Sequence, residues 1–343
     1  MKILLIADPF IPVPPINYGG IERVVYLLAS GLLESENTIT LIAHKESKID
    51  SRIKLVKYFD DKDRVFENIA LVYKTFKSDK YDIVHSFARL MYLLPLCFYS
   101  TPKIMSYQRE PTLSQIKKAN FISYKNSLVF TGCSAYISNQ INDIADARPI
   151  YNMVDPNQYD FVEEVPSNAP LVFLGRIEEI KGVHLAIEIA KSTNHKLIIA
   201  GNIPKESNSY FKSEVEPYID NNQIEYVGEV NDVQKNSLLK NAKAFLMPIQ
   251  WNEPFGIVMI EAMACGTPVI AMNRGAVDEV IINEVNGFKC ESLTEMVVAV
   301  NRISTISRSA VYSDFKNRFS KEIIVKQYID LYKELVSKNV SKS

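Results

Sequence analysis

The chain is expected to fold as an α/β protein made of two Rossmann-like domains with parallel sheets. Three observations predict it. Short apolar runs alternate with amphipathic helical stretches along most of the sequence. The alternation is interrupted by a polar, two-proline stretch, "EEVPSNAP" from Glu163 to Pro170, and then restarts. The length, 343 residues, exceeds what one core usually holds and suits two. Residues 1–162 and 170–319 are therefore assigned to two domains facing each other across a cleft, with Glu163–Pro170 as linker.

The first strand is "MKILLIAD", and the segment after it, "IERVVYLLASGLLE" from Ile21 to Glu34, has apolar residues at helical spacing. Further strands are expected at Thr38 to Ala43, Ile53 to Lys57, Asp82 to His85, Lys103 to Tyr107 and Ser127 to Thr131. In the second half, "LVFLGR", "HKLIIAG", "QIEYVG", "AKAFLMP" and "GTPVIA" read as five buried strands, each followed by a helical segment. The last segment, "KEIIVKQYIDLYKELV", is an amphipathic helix over about residues 320–338. Ligands of open α/β sheets sit at the carboxyl ends of strands, so the loops after Ala7, Leu174, Ala200 and Met247 are the places to search.

Bulk composition narrows the function. The chain is 47% hydrophobic and 23% charged, which excludes disordered and collagen-like classes. Net charge is -1, so no overall field recruits nucleic acid, and no nucleic-acid partner is expected. Cys97, Cys133, Cys265 and Cys290 lie far apart without CxxC spacing or a secretory signal and read as reduced cytoplasmic thiols. The longest apolar run, "LMYLLPLCFY" from Leu90 to Tyr99, is half a membrane span and contains Pro95, so no bilayer crossing is expected. Lys45, Lys48, Lys54, Lys57, Lys117 and Lys118 allow peripheral contact with an inner membrane face, or are simply solvated.

The stretch "EPFGIVMIEAMACGTPVI" from Glu253 to Ile270 carries chemistry that packing does not require. Pro254 and Gly256 permit a tight turn, and amides near Gly256 and Ile257 open a helix, an end that attracts phosphate. Glu261, on that helix, can accept two hydrogen bonds from a ribose diol, while Glu253, on the preceding loop, can address another part of the same ligand. The bland alternatives are a salt bridge for Glu261 and solvation for Glu253. In "FLGRIEEIKG", Arg176 ends a strand and Lys181 starts a helix; they either converge on a diphosphate or pair with Glu178 and Glu179. "NYGGIE" from Asn17 to Glu22 places Gly19 and Gly20 where backbone can approach a ligand, and it is no GxGxxG, which weakens a nicotinamide-cofactor reading.

These motifs resemble the retaining glycosyltransferases of family 4, nucleotide-sugar enzymes of the GT-B fold. The likeness covers nearly the whole chain and is most specific from Gly228 to Glu291, through "EPFGIVMIEAMACGTPVIA", "RGAVDEVI" and "NGFKCE". It implies that Glu253 contacts hydroxyls of the donor sugar, Glu261 holds the ribose, and Arg176 with Lys181 binds the diphosphate. Pro254, Phe255, Gly256 and Ile257 complete the donor site, Gly20 approaches the reaction centre beside Gly19, and the final helix returns to the first domain. Two departures stand out. "SYQREP" offers Gln108, Arg109 and Glu110 where the family often has a histidine, leaving the acceptor side to Gln108, Arg109 and, at the end of "DIVH", His85. The family's Asn-Gly-Val-Asp turn appears as Asn152, Met153, Val154 and Asp155, without its glycine.

The function expected is therefore transfer of a sugar, with retention, from a nucleoside diphosphate sugar, UDP favoured, to an acceptor hydroxyl in glycan or glycoconjugate synthesis. The rivals are a nucleotide-sugar 2-epimerase and a non-catalytic sugar-nucleotide-binding subunit. Asp61 and Asp63 in "DDKD" spell a metal-binding DxD, but they precede a helix near Arg64 and read as a solvated helix start. With Arg176 and Lys181 supplying positive charge, no metal and no cofactor is expected.

Overall fold

The structure, a computed structural model of the chain, describes residues 1–16, 19–59 and 64–340. The chain divides into two compact units, Met1–Met153 with Lys321–Ser343, and Val154–Ser320. Each holds one all-parallel sheet.

The first sheet contains β1 (Lys2–Ile6), β2 (Thr38–Ala43), β3 (Lys54–Lys57), β4 (Ile83–Ser86), β5 (Lys103–Tyr107), β6 (Leu128–Gly132) and β7 (Ala147–Pro149), in the order β3-β2-β1-β4-β5-β6-β7. β1 is apolar at four of its five positions because helices cover both faces of a parallel sheet; Ile3, Leu4, Leu5 and Ile6 have no exposed surface. Strand order reverses between β1 and β4, which opens a crevice at their carboxyl ends. The helix Gly20–Glu34 follows β1, and the helix Lys321–Val340 lies against it. That approach requires Gly31, where an added Cβ would stand 2.6 Å from Val325 Cγ2. Lys321 pairs with Glu34 at 2.7 Å, and Arg148 holds Glu334 at 2.7 Å.

The second sheet contains β8 (Leu171–Leu174), β9 (Leu197–Ala200), β10 (Ile224–Tyr226), β11 (Ala244–Met247), β12 (Val269–Met272) and β13 (Gly287–Cys290), in the order β10-β9-β8-β11-β12-β13. Here the order reverses between β8 and β11. The helix Ile257–Ala264 follows β11 and buries Met259, Ile260, Ala262, Met263 and Ala264 completely. At roughly 1.5 to 3 kcal/mol for each large apolar side chain, that burial anchors a helix of only eight residues.

The division between units falls before Glu163–Pro170, the segment expected as linker. Residues 155–162 belong to the second unit because their backbone is tied to it: the Val162 amide donates to the Cys265 carbonyl, and Arg308 Nε donates to the Val162 carbonyl at 2.7 Å. Phe161 packs on Tyr312 with ring centroids 4.8 Å apart. Met153 is buried and keeps a negative φ, so the glycine missing from that turn is not needed for backbone freedom. Two strands escape the sequence reading, β7 and β13; both are short edge strands.

Candidate active site

In the second unit, the reversal between β8 and β11 brings together two loops that the sequence separates widely. The loop after β8 carries Arg176 and Lys181; the loop after β11 carries Trp251 and Glu253. Lys181 Nζ donates to Glu253 Oε2 at 2.7 Å, the Trp251 indole donates to the same oxygen at 3.0 Å, and the ammonium lies 4.7 Å from the Trp251 ring centroid. Both charged side chains are mostly buried, at 18% and 12% exposure. Glycines make the approach possible. Gly182 has φ 75°, and a Cβ there would stand 1.9 Å from the Pro248 carbonyl oxygen; Gly275 has φ 63°, and a Cβ would stand 2.4 Å from the Glu253 carbonyl oxygen.

Glu261 lies one turn into the helix after Gly256 and is 4% exposed. Its Oε1 accepts from Lys235 Nζ at 2.6 Å and from the Tyr159 hydroxyl at 2.7 Å. The salt bridge offered as the bland alternative thus exists, with a partner that no local pattern announces. Arg176 pairs with Glu178 at 2.8 Å, also as the bland alternative had it, whereas Lys181 pairs with Glu253 rather than with Glu178 or Glu179. Gly256, at φ 79°, caps the helix, and a Cβ there would crowd Met259 and Met247. Phe255, expected among the donor-site residues, is 2% exposed and meets Phe319 edge-on at 6.0 Å, so its side chain packs into the core. Pro254 is buried and Ile257 half-buried beside it.

In the first unit, a cavity of about 720 Å³ opens at the reversal between β1 and β4. Asp8 follows β1, Arg89 follows β4, and Gln108 with Arg109 follows β5; Glu22 reaches in from the first turn of the helix that Gly19 caps. Gly19, at φ 155°, has no room for a Cβ, which would stand 2.6 Å from Pro15 Cβ and 3.0 Å from Glu22 Oε2, and Gly20 begins the helix. Burial pushes the Glu22 carboxyl up to about 7, and raises Asp8 against the opposing pull of the Arg89 and Arg109 guanidiniums. Sequence reasoning found Gln108 and Arg109 but missed Asp8, Glu22 and Arg89, although the place of Asp8 immediately after β1 was a usable signal.

His85 corrects the other acceptor-side assignment. It has no exposed surface, Nδ1 sits 2.5 Å from the Tyr332 hydroxyl and Nε2 2.6 Å from Ser106 Oγ, and burial lowers its pKa to about 3. A neutral, fully partnered imidazole inside β4 is a core residue. Asp60–Asp63, including the DxD pattern, lie outside the described residues. Among the described residues, no three His, Cys, Asp or Glu side chains gather into a metal-holding group, and no helix is long and apolar enough to cross a membrane.

Residues 158–323 match the family model described as glycosyl transferases group 1. Glycogen synthase of Mycobacterium tuberculosis is 28% identical over 207 residues, covering 53% of this chain and 49% of that protein. This chain thus spans about half the length of that relative. The fold is shared with a solved glycosyltransferase involved in avilamycin A biosynthesis, with a TM-score of 0.76, 23% identity and 98% of each chain covered. It is shared also with Anabaena HepE, solved in complex with UDP and glucose, with a TM-score of 0.73, 18% identity and 97% and 100% covered. The chain thus has the two parallel Rossmann-like sheets of the GT-B fold, and its residues 158–323 are similar to the glycosyl transferases of group 1.

Proposed function

We propose that the protein is a retaining glycosyltransferase that moves a sugar from a nucleoside diphosphate sugar, UDP favoured, to an acceptor hydroxyl in glycan or glycoconjugate synthesis. The observation that carries this reading is the Lys181–Glu253 pair at the strand-order reversal of the group 1 domain. The bond between the anomeric carbon and the diphosphate breaks, a bond to the acceptor oxygen forms, and the acceptor proton leaves with the diphosphate. Negative charge grows on the departing group, and a fixed ammonium stabilises it more as it grows. Lys181 is held for that role by Glu253 and Trp251. Arg176 adds a second cation, Glu253 contacts hydroxyls of the donor sugar, and Glu261 takes the ribose diol.

The choice of uridine leans on HepE, a fold neighbour solved with UDP. These two cations make a metal unnecessary in this reading, and the protein works in the cytoplasm, with the first unit free to touch a membrane face. A thermal-shift panel of nucleotide-sugars tests the donor: one at a hundred times its dissociation constant stabilises by roughly 2.7 kcal/mol. Product analysis with the stabilising donor separates transfer from epimerisation, since epimerised donor without transfer would establish the rival reaction.

A further inference from the structure

We propose that an aromatic, lysine-rich face of the first unit, built from Phe98, Phe121, Ile122 and Tyr124 with Lys117, Lys118 and Lys125, docks on an anionic lipid bilayer. The membrane contact in the reading above thereby gains a location, independently of the transfer reaction. The helix Leu113–Ile122 buries only Ile116 and Ala119 and turns Phe121 outward at 90% exposure. Phe98 is 68% exposed and Tyr124 45%. A phenyl ring left that far in water forgoes most of its burial free energy, so a cluster of such rings marks a surface that something else covers.

The rings form one surface on a fixed base. The Tyr124 amide donates to the Cys97 carbonyl at 2.8 Å, which brings Phe98 beside the segment Phe121–Tyr124. The Lys103 ammonium donates to the Tyr99 carbonyl at 2.7 Å and to Ser127 Oγ at 2.8 Å, which ties the two segments together from within. Tyr73, on the helix Val65–Lys77, extends the surface, since its hydroxyl lies 2.8 Å from that of Tyr99.

The charge around the rings selects the occupant. Between residues 90 and 126 the sequence has one acid, Glu110, and the Tyr136 hydroxyl donates to it at 2.7 Å. On the neighbouring helix Val65–Lys77, Glu67 pairs with Arg64 at 3.1 Å. The cations beside the rings are Lys117, Lys118 and Lys125, whose ammonium lies 5.4 Å from the Tyr124 ring centroid, and at the edge Lys77, 5.1 Å from that of Tyr99. Rings flanked by lysines suit a bilayer interface, where the rings enter the acyl boundary and the ammonium groups stay with lipid phosphates. The centre of a protein interface is instead depleted in lysine.

Co-sedimentation of the full chain with phosphatidylcholine vesicles, with and without phosphatidylglycerol, tests this. The wild type should bind the anionic vesicles, and more weakly the neutral ones. Each lysine at a charged surface contributes about fivefold, so Lys117→Gln, Lys118→Gln and Lys125→Gln combined should weaken binding to anionic vesicles roughly tenfold or more and leave binding to neutral ones unchanged. Phe98→Ser combined with Phe121→Ser should weaken binding to anionic vesicles roughly tenfold or more. Both variants should melt as the wild type does, because the replaced side chains are exposed. A wild type without preference for anionic vesicles, or either variant binding as the wild type does, overturns the docking face. Self-association without lipid that the phenylalanine variant abolishes overturns it too and gives the face to a second copy. Thermal shifts with nucleotide-sugars should be equal in all three proteins, so failure of vesicle binding leaves the donor reading standing, and failure of the donor reading leaves the docking face standing.

Discussion

The two strand-order reversals of this molecule are equipped differently. In the second unit the expected ligand-binding charges are satisfied internally: Glu253 by Lys181 and Trp251, Glu261 by Lys235 and Tyr159, and Arg176 by Glu178. In the first unit, Asp8 Oδ1 and Gln108 Nε2 are buried without a partner, and in the second Glu178 Oε2, beside Arg176, is so too. An internally paired site must exchange partners when a charged ligand arrives, so its ligand has to bring comparable charge. A site with unpaired atoms needs only a ligand of matching hydrogen-bond pattern.

The largest effects in the second unit are expected at its two cations. Lys181→Ala and Arg176→Ala should each lower turnover by roughly a hundredfold or more, the scale of removing one preorganised contact to developing charge. Both changes should also destabilise, by about 1 to 3 kcal/mol, because they strip the mostly buried Glu253 and Glu178 of their cations. Steady-state kinetics and thermal melts read both effects, and near-normal turnover in both variants would remove the diphosphate from these cations.

The carboxylates give the next largest effect. Glu261→Gln should weaken donor binding by about 1 to 2 kcal/mol, while Glu253→Gln should hurt turnover more than affinity. Reversed effects, in titrations and kinetics of the two variants, would exchange the ends of the donor.

The first unit should show its own signature in pH. The Glu22 carboxyl has its pKa raised from 4.5 to about 7 in the folded protein. Between those values the folded protein keeps a proton that the unfolded chain has released, so this group makes stability fall as pH rises through that window. Glu22→Gln should flatten the fall and, above about pH 7, stabilise by at most on the order of 3 kcal/mol. Denaturant melts across this pH range check it; an unchanged slope would mean that Glu22 is not held protonated.

The smallest expected effect is that of a chelator. With Lys181 and Arg176 on the diphosphate, excess chelator should leave transfer within about twofold. Lost activity would bring Asp61 and Asp63 back into consideration.

Much of this was legible in the sequence because parallel strands buried on both faces are unbroken apolar runs, as "KILLI" and "LVFL" are. The strands that escaped, β7 "ARP" and β13 "GFKC", are edge strands with too few apolar residues to stand out. Glu253 and Lys181 stand out in the sequence as candidates because they follow strand ends. Their mutual contact was not, since it depends on which strands the sheet makes neighbours. Lys235 and Tyr159 reach Glu261 from elements 26 and 102 residues away, and nothing in their own segments marks them. The inward turn of Phe255 and His85 was not legible, because a side chain next to a strand end can turn into the core as readily as into the crevice.

The most direct test of a donor site in residues 158–323 is isothermal titration of UDP and GDP into the wild type, Lys181→Ala and Glu261→Gln. One nucleotide should bind the wild type and bind each variant roughly tenfold or more weakly, the equivalent of about 1.4 kcal/mol. Failure of both nucleotides to bind, or equal binding by all three proteins, would contradict the assignment of Lys181 and Glu261 to the two halves of a nucleoside diphosphate.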